Sequence, residues 1–173
     1  MEKDPLSLET RRRIFQFIRE RPGTYPRELE RELDMQTGVI QYHLALLESL
    51  RLVNSEGDGF RKRYYVSGEV SSEDRRVLSV LKLKTPRRIV IQLLQNPGST
   101  FEQILSQFTF SKSALSFHLK KLTESGIVVV SKSASGTTYS VRDEDYVARV
   151  IITYRGTFLD NLVDSFIDSW LQI

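Results

Sequence analysis

The sequence predicts a mainly α fold with small β-hairpin wings (α+β), built as two tandem units and followed by a long C-terminal amphipathic helical segment. Three observations predict it. Residues 8–66 repeat without a gap 75 positions later. Each copy reads as three helical stretches followed by an alternating stretch broken by a glycine turn. The final 31 residues, from Asp143, have no counterpart in the first copy and carry apolar residues at three- and four-residue steps.

The repeat is visible residue by residue. Leu8 falls on Leu83, Thr10 on Thr85, and Arg12-Arg13-Ile14 on Arg87-Arg88-Ile89. Pro22-Gly23 falls on Pro97-Gly98, His43-Leu44 on His118-Leu119, Leu47 on Leu122, Val53 on Val128, Tyr64 on Tyr139 and Val66 on Val141. Conservative pairs fill the intervals: Leu29 with Ile104, Leu33 with Phe108, Ile40 with Leu115, and Tyr42 with Phe117. A gap-free ladder of this length marks a tandem duplication.

The elements follow in order. A first helix is predicted from Ser7, as N-cap, to Glu20, and from Thr85 to Gln95 in the copy. Arg21-Pro22-Gly23 and Asn96-Pro97-Gly98 stop it, because proline cannot continue a helix and glycine accepts the left-handed backbone that ends one. Second helices are predicted at Pro26–Leu33 and Phe101–Phe108. Third helices follow at Thr37–Arg51 and Ser111–Ser125, with Thr37 and Ser111 as N-caps. In the first of these, Ile40, Leu44, Leu47 and Arg51 share a row at i, i+4, i+7 and i+11, so the apolar three face inward while Gly38, Gln41, Tyr42, Ala45 and Glu48 lie largely off that stripe. Hairpins are predicted at Leu52–Val66, turning at Gly57-Asp58-Gly59 and returning through Phe60, and at Ile127–Val141, turning around Ala134–Gly136. Residues 67–74 form a Gly/Ser/Glu-rich joint, and a lead-in helix covers Arg75–Leu83. The organisation is therefore 1–66, a joint and lead-in helix at 67–84, 85–142, and a helical segment at 143–173, where Gly156 marks a bend or break.

Composition narrows the function classes. The chain is 40% apolar and 27% charged, as ordinary globular proteins are. It has no cysteine, which excludes disulfides, thiolate metal sites and cysteine nucleophiles. No run approaches the roughly 20 apolar residues of a membrane span, and the charged start does not read as a signal peptide. A cytoplasmic, nucleoid-associated protein is expected. The net charge of +3 conceals an asymmetry: residues 1–66 carry +1, residues 67–142 carry +6 and residues 143–173 carry −4. A basic middle and an acidic end suit polyanion binding by one part and protein contact by another.

Two helices, a short turn, a third helix and a basic hairpin suggest a winged helix-turn-helix, and the duplication supplies two. Arg-Arg-Ile before a Pro-Gly turn, then a Tyr-His-Leu or Phe-His-Leu helix, then a hairpin ending in Tyr, resembles the ArsR-like winged-helix fold. The tandem arrangement with a hydrophobic C-terminal helix is similar to archaeal two-winged-helix transcriptional regulators. The resemblance implies DNA binding. It does not extend to metal sensing, since the cysteines by which many ArsR repressors hold metal are absent, and no metal or other cofactor is expected.

The candidate DNA-binding residues follow from groove geometry, since a helix fits the major groove and its exposed N-terminal side chains reach base edges. In the first unit these are Thr37, Gln41 and Tyr42. Gln pairs with adenine, and Tyr reaches a phosphate or a thymine methyl. In the second they are Lys112, Ser113, Ser116, Phe117, Lys120 and Lys121, a more basic and less discriminating set, so the first unit is expected to supply more base readout and the second more phosphate affinity. Arg61, Lys62 and Arg63, flanked by Tyr64 and Tyr65, form a basic first wing for backbone or minor-groove contact. A strand puts Arg61 and Arg63 on one face and Lys62 on the other, and a charge-protected edge strand is the competing reading. The second wing keeps only Lys132. Arg11, Arg12, Arg13, Arg87 and Arg88 on the first helices suit either phosphate contact or ion pairs with Glu28 and Glu32. His43 and His118 are expected to pack against helix two or the wing while bonding to backbone or phosphate.

The C-terminal segment is too apolar to stand alone. Tyr154, Phe158, Leu162, Phe166 and Trp170 are expected at a homodimer contact, with Asp160, Asp164 and Asp168 on the opposite face. That aspartate face does not suit an anionic membrane. Nothing reads as an enzyme: there are no paired catalytic carboxylates in a recognisable setting, no phosphate-cradling glycine loop and no Cys/His cluster. The expected partners are double-stranded DNA and a second copy of the chain. The alternatives are an interaction module that contacts basal transcription machinery and a sequence-neutral chromatin protein.

Overall fold

The computed structural model describes Leu6 and residues 8–57 and 61–172. Ser7, expected as the first cap, and Asp58, Gly59 and Phe60, expected in the first hairpin turn, lie outside the described residues. The chain divides into two compact units, up to Arg75 and from Arg76 onward.

The first unit contains α1 (Glu9–Glu20), α2 (Pro26–Leu33), α3 (Thr37–Ser49), β1 (Val53–Glu56) and β2 (Arg63–Val66). The strands pair antiparallel with Val53 opposite Val66. Ile14 and Ile18 of α1, Leu29 of α2, Ile40, Leu44 and Leu47 of α3, and Val53, Tyr64 and Val66 of the hairpin form one buried core. Burying a side chain of this size contributes about 1.5–3 kcal/mol each, which is why a short three-helix unit with a two-stranded wing closes on itself.

α4 (Ser72–Leu81) runs across the division between the units. It starts earlier than the expected Arg75 because the Ser71 hydroxyl accepts a hydrogen bond from the Asp74 amide at 3.0 Å and so caps its first turn. The second unit then continues with α5 (Lys84–Gln95), β3 (Ser99–Thr100), α6 (Phe101–Ser106), α7 (Lys112–Glu124), β4 (Val128–Ser133) and β5 (Gly136–Val141). β5 lies between β3 and β4 in an antiparallel sheet. Its turn is the two residues Ala134-Ser135, and Gly136 follows at φ +124°, a backbone that needs glycine.

The duplication holds in the bonding as well as in the sequence. The Gly23 amide donates to the Tyr64 carbonyl at 2.9 Å, and the Gly98 amide to the Tyr139 carbonyl at 3.1 Å. Thr24 bridges Tyr64 as Ser99 pairs with Tyr139. The Tyr25 amide donates to the Glu28 carboxylate and the Thr100 amide to the Gln103 side chain, both at 2.8 Å, so each second helix opens with the same side chain reaching back from its third residue. The core repeats too: Ile89, Leu93, Ile104, Leu115, Leu119, Leu122, Val128 and Val141 are all buried.

Some expected boundaries shift for local reasons. Thr37 is the first residue of α3, not its cap; the capping position belongs to Gln36, which makes no side-chain cap bond. Ser111 does cap α7, accepting from the Ala114 amide at 3.3 Å. α3 stops at Ser49 because Arg51 turns left-handed at φ +57°, where its counterpart Gly126 has φ +78°.

The expected long C-terminal helix is two helices. α8 (Glu144–Thr153) and α9 (Asn161–Trp170) are separated by a 3-10 turn at Arg155–Thr157 that contains Gly156. Their role becomes clear on comparing α5 with α1. α1 buries only Ile14 and Ile18, whereas α5 buries Pro86, Arg87, Ile89, Val90, Ile91, Leu93 and Leu94. Exposed Gln16 and Arg19 of the first copy correspond to buried Ile91 and Leu94 of the second. α9 packs on α5, so the added helices cover a face that the first copy leaves to water.

Arg87 locks this cover in place. Its guanidinium is 6% exposed in the residue as a whole and donates to the carbonyls of Leu81 at 2.8 Å and Lys82 at 3.2 Å and to the Asp160 carboxylate at 3.0 Å. Asp160 caps α9 through the Leu162 amide at 3.0 Å. Burial pushes the Asp160 pKa up, but the Leu162 amide and Arg87 outweigh it and hold the carboxyl below the usual aspartate range. The expectation that Arg87 meets phosphate is therefore corrected: a buried cation spanning three elements has no free face to offer.

Candidate nucleic-acid interface

α3 and α7 each bury one stripe and present the other. On α3, Ile40, His43, Leu44 and Leu47 are buried, while Thr37, Gly38, Val39, Gln41, Tyr42 and Ala45 are exposed. On α7, Leu115, Leu119 and Leu122 are buried, while Lys112, Ser113, Ser116, Phe117, Lys120 and Lys121 are exposed. Every expected recognition-helix residue thus sits on a solvent face. Tyr42 and Phe117, at equivalent positions, are 64% and 57% exposed, far more than an aromatic ring with packing work to do.

The lysines of α7 are held among acids. Lys112 lies 3.2 Å from Glu102, Lys120 3.9 Å and Lys121 3.5 Å from Glu124. All are exposed pairs, each worth about 0–1 kcal/mol, so an incoming phosphate can displace the carboxylate at little cost. A shallow open groove of about 280 Å³ lies between α7 and the β4–β5 hairpin, with Phe101, Ser116, Lys120, Val130 and Tyr139 among its lining.

The first wing is less available than its three cations suggest. Arg61 is exposed. Lys62 faces Glu48 of α3 at 3.7 Å, and Glu48 also accepts from the Ser55 hydroxyl, so this carboxylate pins the hairpin to α3. Arg63 donates to the Tyr25 hydroxyl at 2.8 Å and lies 5.5 Å over the Tyr25 ring. Arg61 and Arg63 therefore do not act as one basic face: Arg63 ties β2 to the start of α2. On the first helix, Arg12 pairs with Glu9, and Arg13 donates to the Leu33 carbonyl at 3.4 Å. Glu32 pairs with Arg21 and Arg31 instead of with α1.

The two histidines differ. His43 is 6% exposed, and burial first, then the charge of Arg11, holds its pKa below the usual range. Its Nδ1 meets no hydrogen-bond partner among the described residues, and the ring packs edge-on against Tyr42 at 5.1 Å. His118 is half-buried between Phe110 and Phe117. Both imidazoles thus support the exposed aromatic beside them.

Of the residues expected at a dimer contact, Phe158 and Phe166 are buried within the unit, at 5% and 0% exposure, so their apolar surface is already covered by one chain. Tyr154, Leu162 and Trp170 are half-buried, and among the described residues here the exposed large apolar ones are Leu159 and Leu171, beside the two ends of α9. Two residues not counted among the candidate DNA contacts have exposed positions on or beside α3. One is Gly38; the other is Arg51, a cation in a left-handed position. The repeat offset held the signal for Arg51, since it sets that residue against Gly126. Among the described residues, no group of three or more His, Asp and Glu side chains gathers as a metal site requires, and no helix is long and apolar enough to cross a membrane.

A helix, a second helix, a tight turn, an outward-facing third helix and an antiparallel hairpin, built twice, define a tandem winged helix-turn-helix protein. Comparison with known families agrees: residues 8–78 match a family described as an N-terminal HTH domain, and residues 84–130 match the bacterial regulatory protein, arsR family. The chain thus carries two tandem helix-turn-helix domains, the first similar to an N-terminal HTH domain family and the second to the arsR family. Over 144 residues, 82% of its length, it is 30% identical to an uncharacterised HTH-type transcriptional regulator of the archaeon Methanocaldococcus jannaschii, and it spans 36% of that relative.

Proposed function

We propose that the chain is a DNA-binding transcription regulator, with its third helices, α3 and α7, as major-groove readers and the first wing, through Arg61 and Lys62, on the backbone or minor groove. The observation that carries this is the pair of equivalent, outward-facing third helices with unequal chemistry: Gln41 and Tyr42 on one, and Lys112, Ser113, Ser116, Lys120 and Lys121 on the other. Base-edge contact specifies and phosphate contact anchors, so the two units divide the work. Selection of bound sites from a random duplex pool tests the reading. A recurrent motif supports it, and an unenriched pool argues for a sequence-neutral chromatin protein.

The anchoring role has its own test. Replacing Lys120 and Lys121 with alanine is expected to weaken binding to all duplexes alike and to lower the salt slope by about 2, one unit per lost phosphate contact. An unchanged salt slope would remove both lysines from the interface.

The regulator acts as a homodimer in this reading, with Leu159, Leu171 and the half-buried Leu162 and Trp170 against a second copy. Because α9 also covers α5, deleting it would unfold the unit, so point changes are the better probe. Leu159→Asp with Leu171→Asp is expected to convert a dimer to a folded monomer by sedimentation equilibrium with unchanged circular dichroism. A monomeric wild-type chain would contradict the dimer.

A further inference from the structure

We infer that α3 is built to read A·T pairs and lacks the cation that reads guanine's paired acceptors, an inference that rests on the DNA-binding reading above. Three observations converge on the same face. First, Thr37–Ser49 contains no Lys or Arg. Guanine presents two acceptors, N7 and O6, in the major groove, and the side chains that read them as a pair are cationic. α7, with three lysines, has that option; α3 does not.

Second, what α3 exposes fits the other base pair. Gln41 carries an amide that gives to adenine N7 and takes from adenine N6 in one plane. Beside it on the exposed side stand Tyr42, at 64% exposure, and the exposed Ala45 one turn on. Apolar groups at base edges meet one feature of matching chemistry, the C5 methyl of thymine. An adenine-reading amide set among methyl-reading side chains forms one consistent A·T surface.

Third, Gly38 is unexplained by the fold. A Cβ placed on it would meet nothing within 4 Å, and its backbone is not left-handed. Glycine weakens a helix relative to alanine, so the unit's own packing would favour a larger residue here. A missing side chain on the exposed N-terminal turn of α3 serves close approach by an external body, and a base edge beneath the first turn of a recognition helix is such a body.

The test uses the intact chain and a duplex chosen by selection. The pairs under α3 are those at which Gln41→Ala loses its base preference. They are expected to be A·T, and exchanging one for G·C should lower wild-type affinity roughly 5- to 150-fold. Uracil in place of thymine, which removes only the C5 methyl, should also weaken the wild type, and weaken Tyr42→Ala less. Gly38→Ala should keep or raise the melting temperature while lowering affinity. Guanine under α3, or indifference to uracil together with full affinity in Gly38→Ala, would overturn the inference and leave DNA binding standing. Failure to bind any duplex would overturn the DNA-binding reading itself.

Discussion

Alanine at both Gln41 and Tyr42 is expected to reduce binding to the preferred duplex by about 2–4 kcal/mol while leaving binding to random duplex nearly unchanged. The reasoning runs from exposure to chemistry. Both side chains stand on the solvent face of α3, so their removal changes folding stability by no more than about 0.5 kcal/mol. Neither carries a charge, so the phosphate term that dominates random-sequence affinity is untouched. What is lost is base-edge readout. Titration of the double variant against both duplexes gives the two numbers, and an equal loss on both would show that these residues contact only the backbone. The same truncation at Ser116 and Phe117 of α7 is expected to change discrimination less, because three lysines there anchor the helix regardless of sequence.

The second large effect concerns the Arg87–Asp160 pair. Asp160→Ala is expected to destabilise the second unit by about 3–5 kcal/mol, because it leaves the Arg87 guanidinium buried with its carboxylate partner gone and removes the cap of α9. The single tryptophan, Trp170, lies in α9 and packs 5.4 Å from Phe166, so its fluorescence follows this region through urea unfolding. Apolar replacement of both partners, Arg87→Met with Asp160→Leu, should recover most of the loss, since well-packed apolar groups often substitute for a buried ion pair. A double variant no more stable than Asp160→Ala would mean that the loss comes from the cap and not from the pair. The sign of the pH dependence is also fixed. Asp160 has a depressed pKa in the folded chain, so its contribution is present above the ordinary aspartate range and is lost as the pH falls through the depressed value. The wild type should therefore lose stability in acid more steeply than Asp160→Ala.

The residues show how far sequence reasoning reaches here. Periodicity and the 75-residue offset located the buried stripe of each third helix, because a position's inward or outward direction on an isolated helix depends only on its spacing. The same offset paired Arg12 with Arg87 by identity, yet one is exposed and the other buried. That difference comes from α9, whose arrival on α5 is a tertiary event. A trace of it was nevertheless present: Ile91 and Leu94 stand where the first copy has Gln16 and Arg19, which makes α5 apolar nearly all round. The partners of the wing cations were hidden from the sequence for a related reason. Strand alternation put Arg61 and Arg63 on one face, but Tyr25 and Glu48, far away in sequence, take Arg63 and Lys62. Spacing puts Gly38 off the buried stripe of α3, but only the fold shows that the space around it is empty.

Sequence-specific binding by the third helices is the property on which regulation by this chain would rest. A titration of the intact chain against its selected duplex and a randomised duplex, at two salt concentrations, measures that directly. A preference of about 10³ or more that persists at the higher salt is the predicted result. Equal affinity for the two duplexes, disappearing together as salt rises, would contradict it.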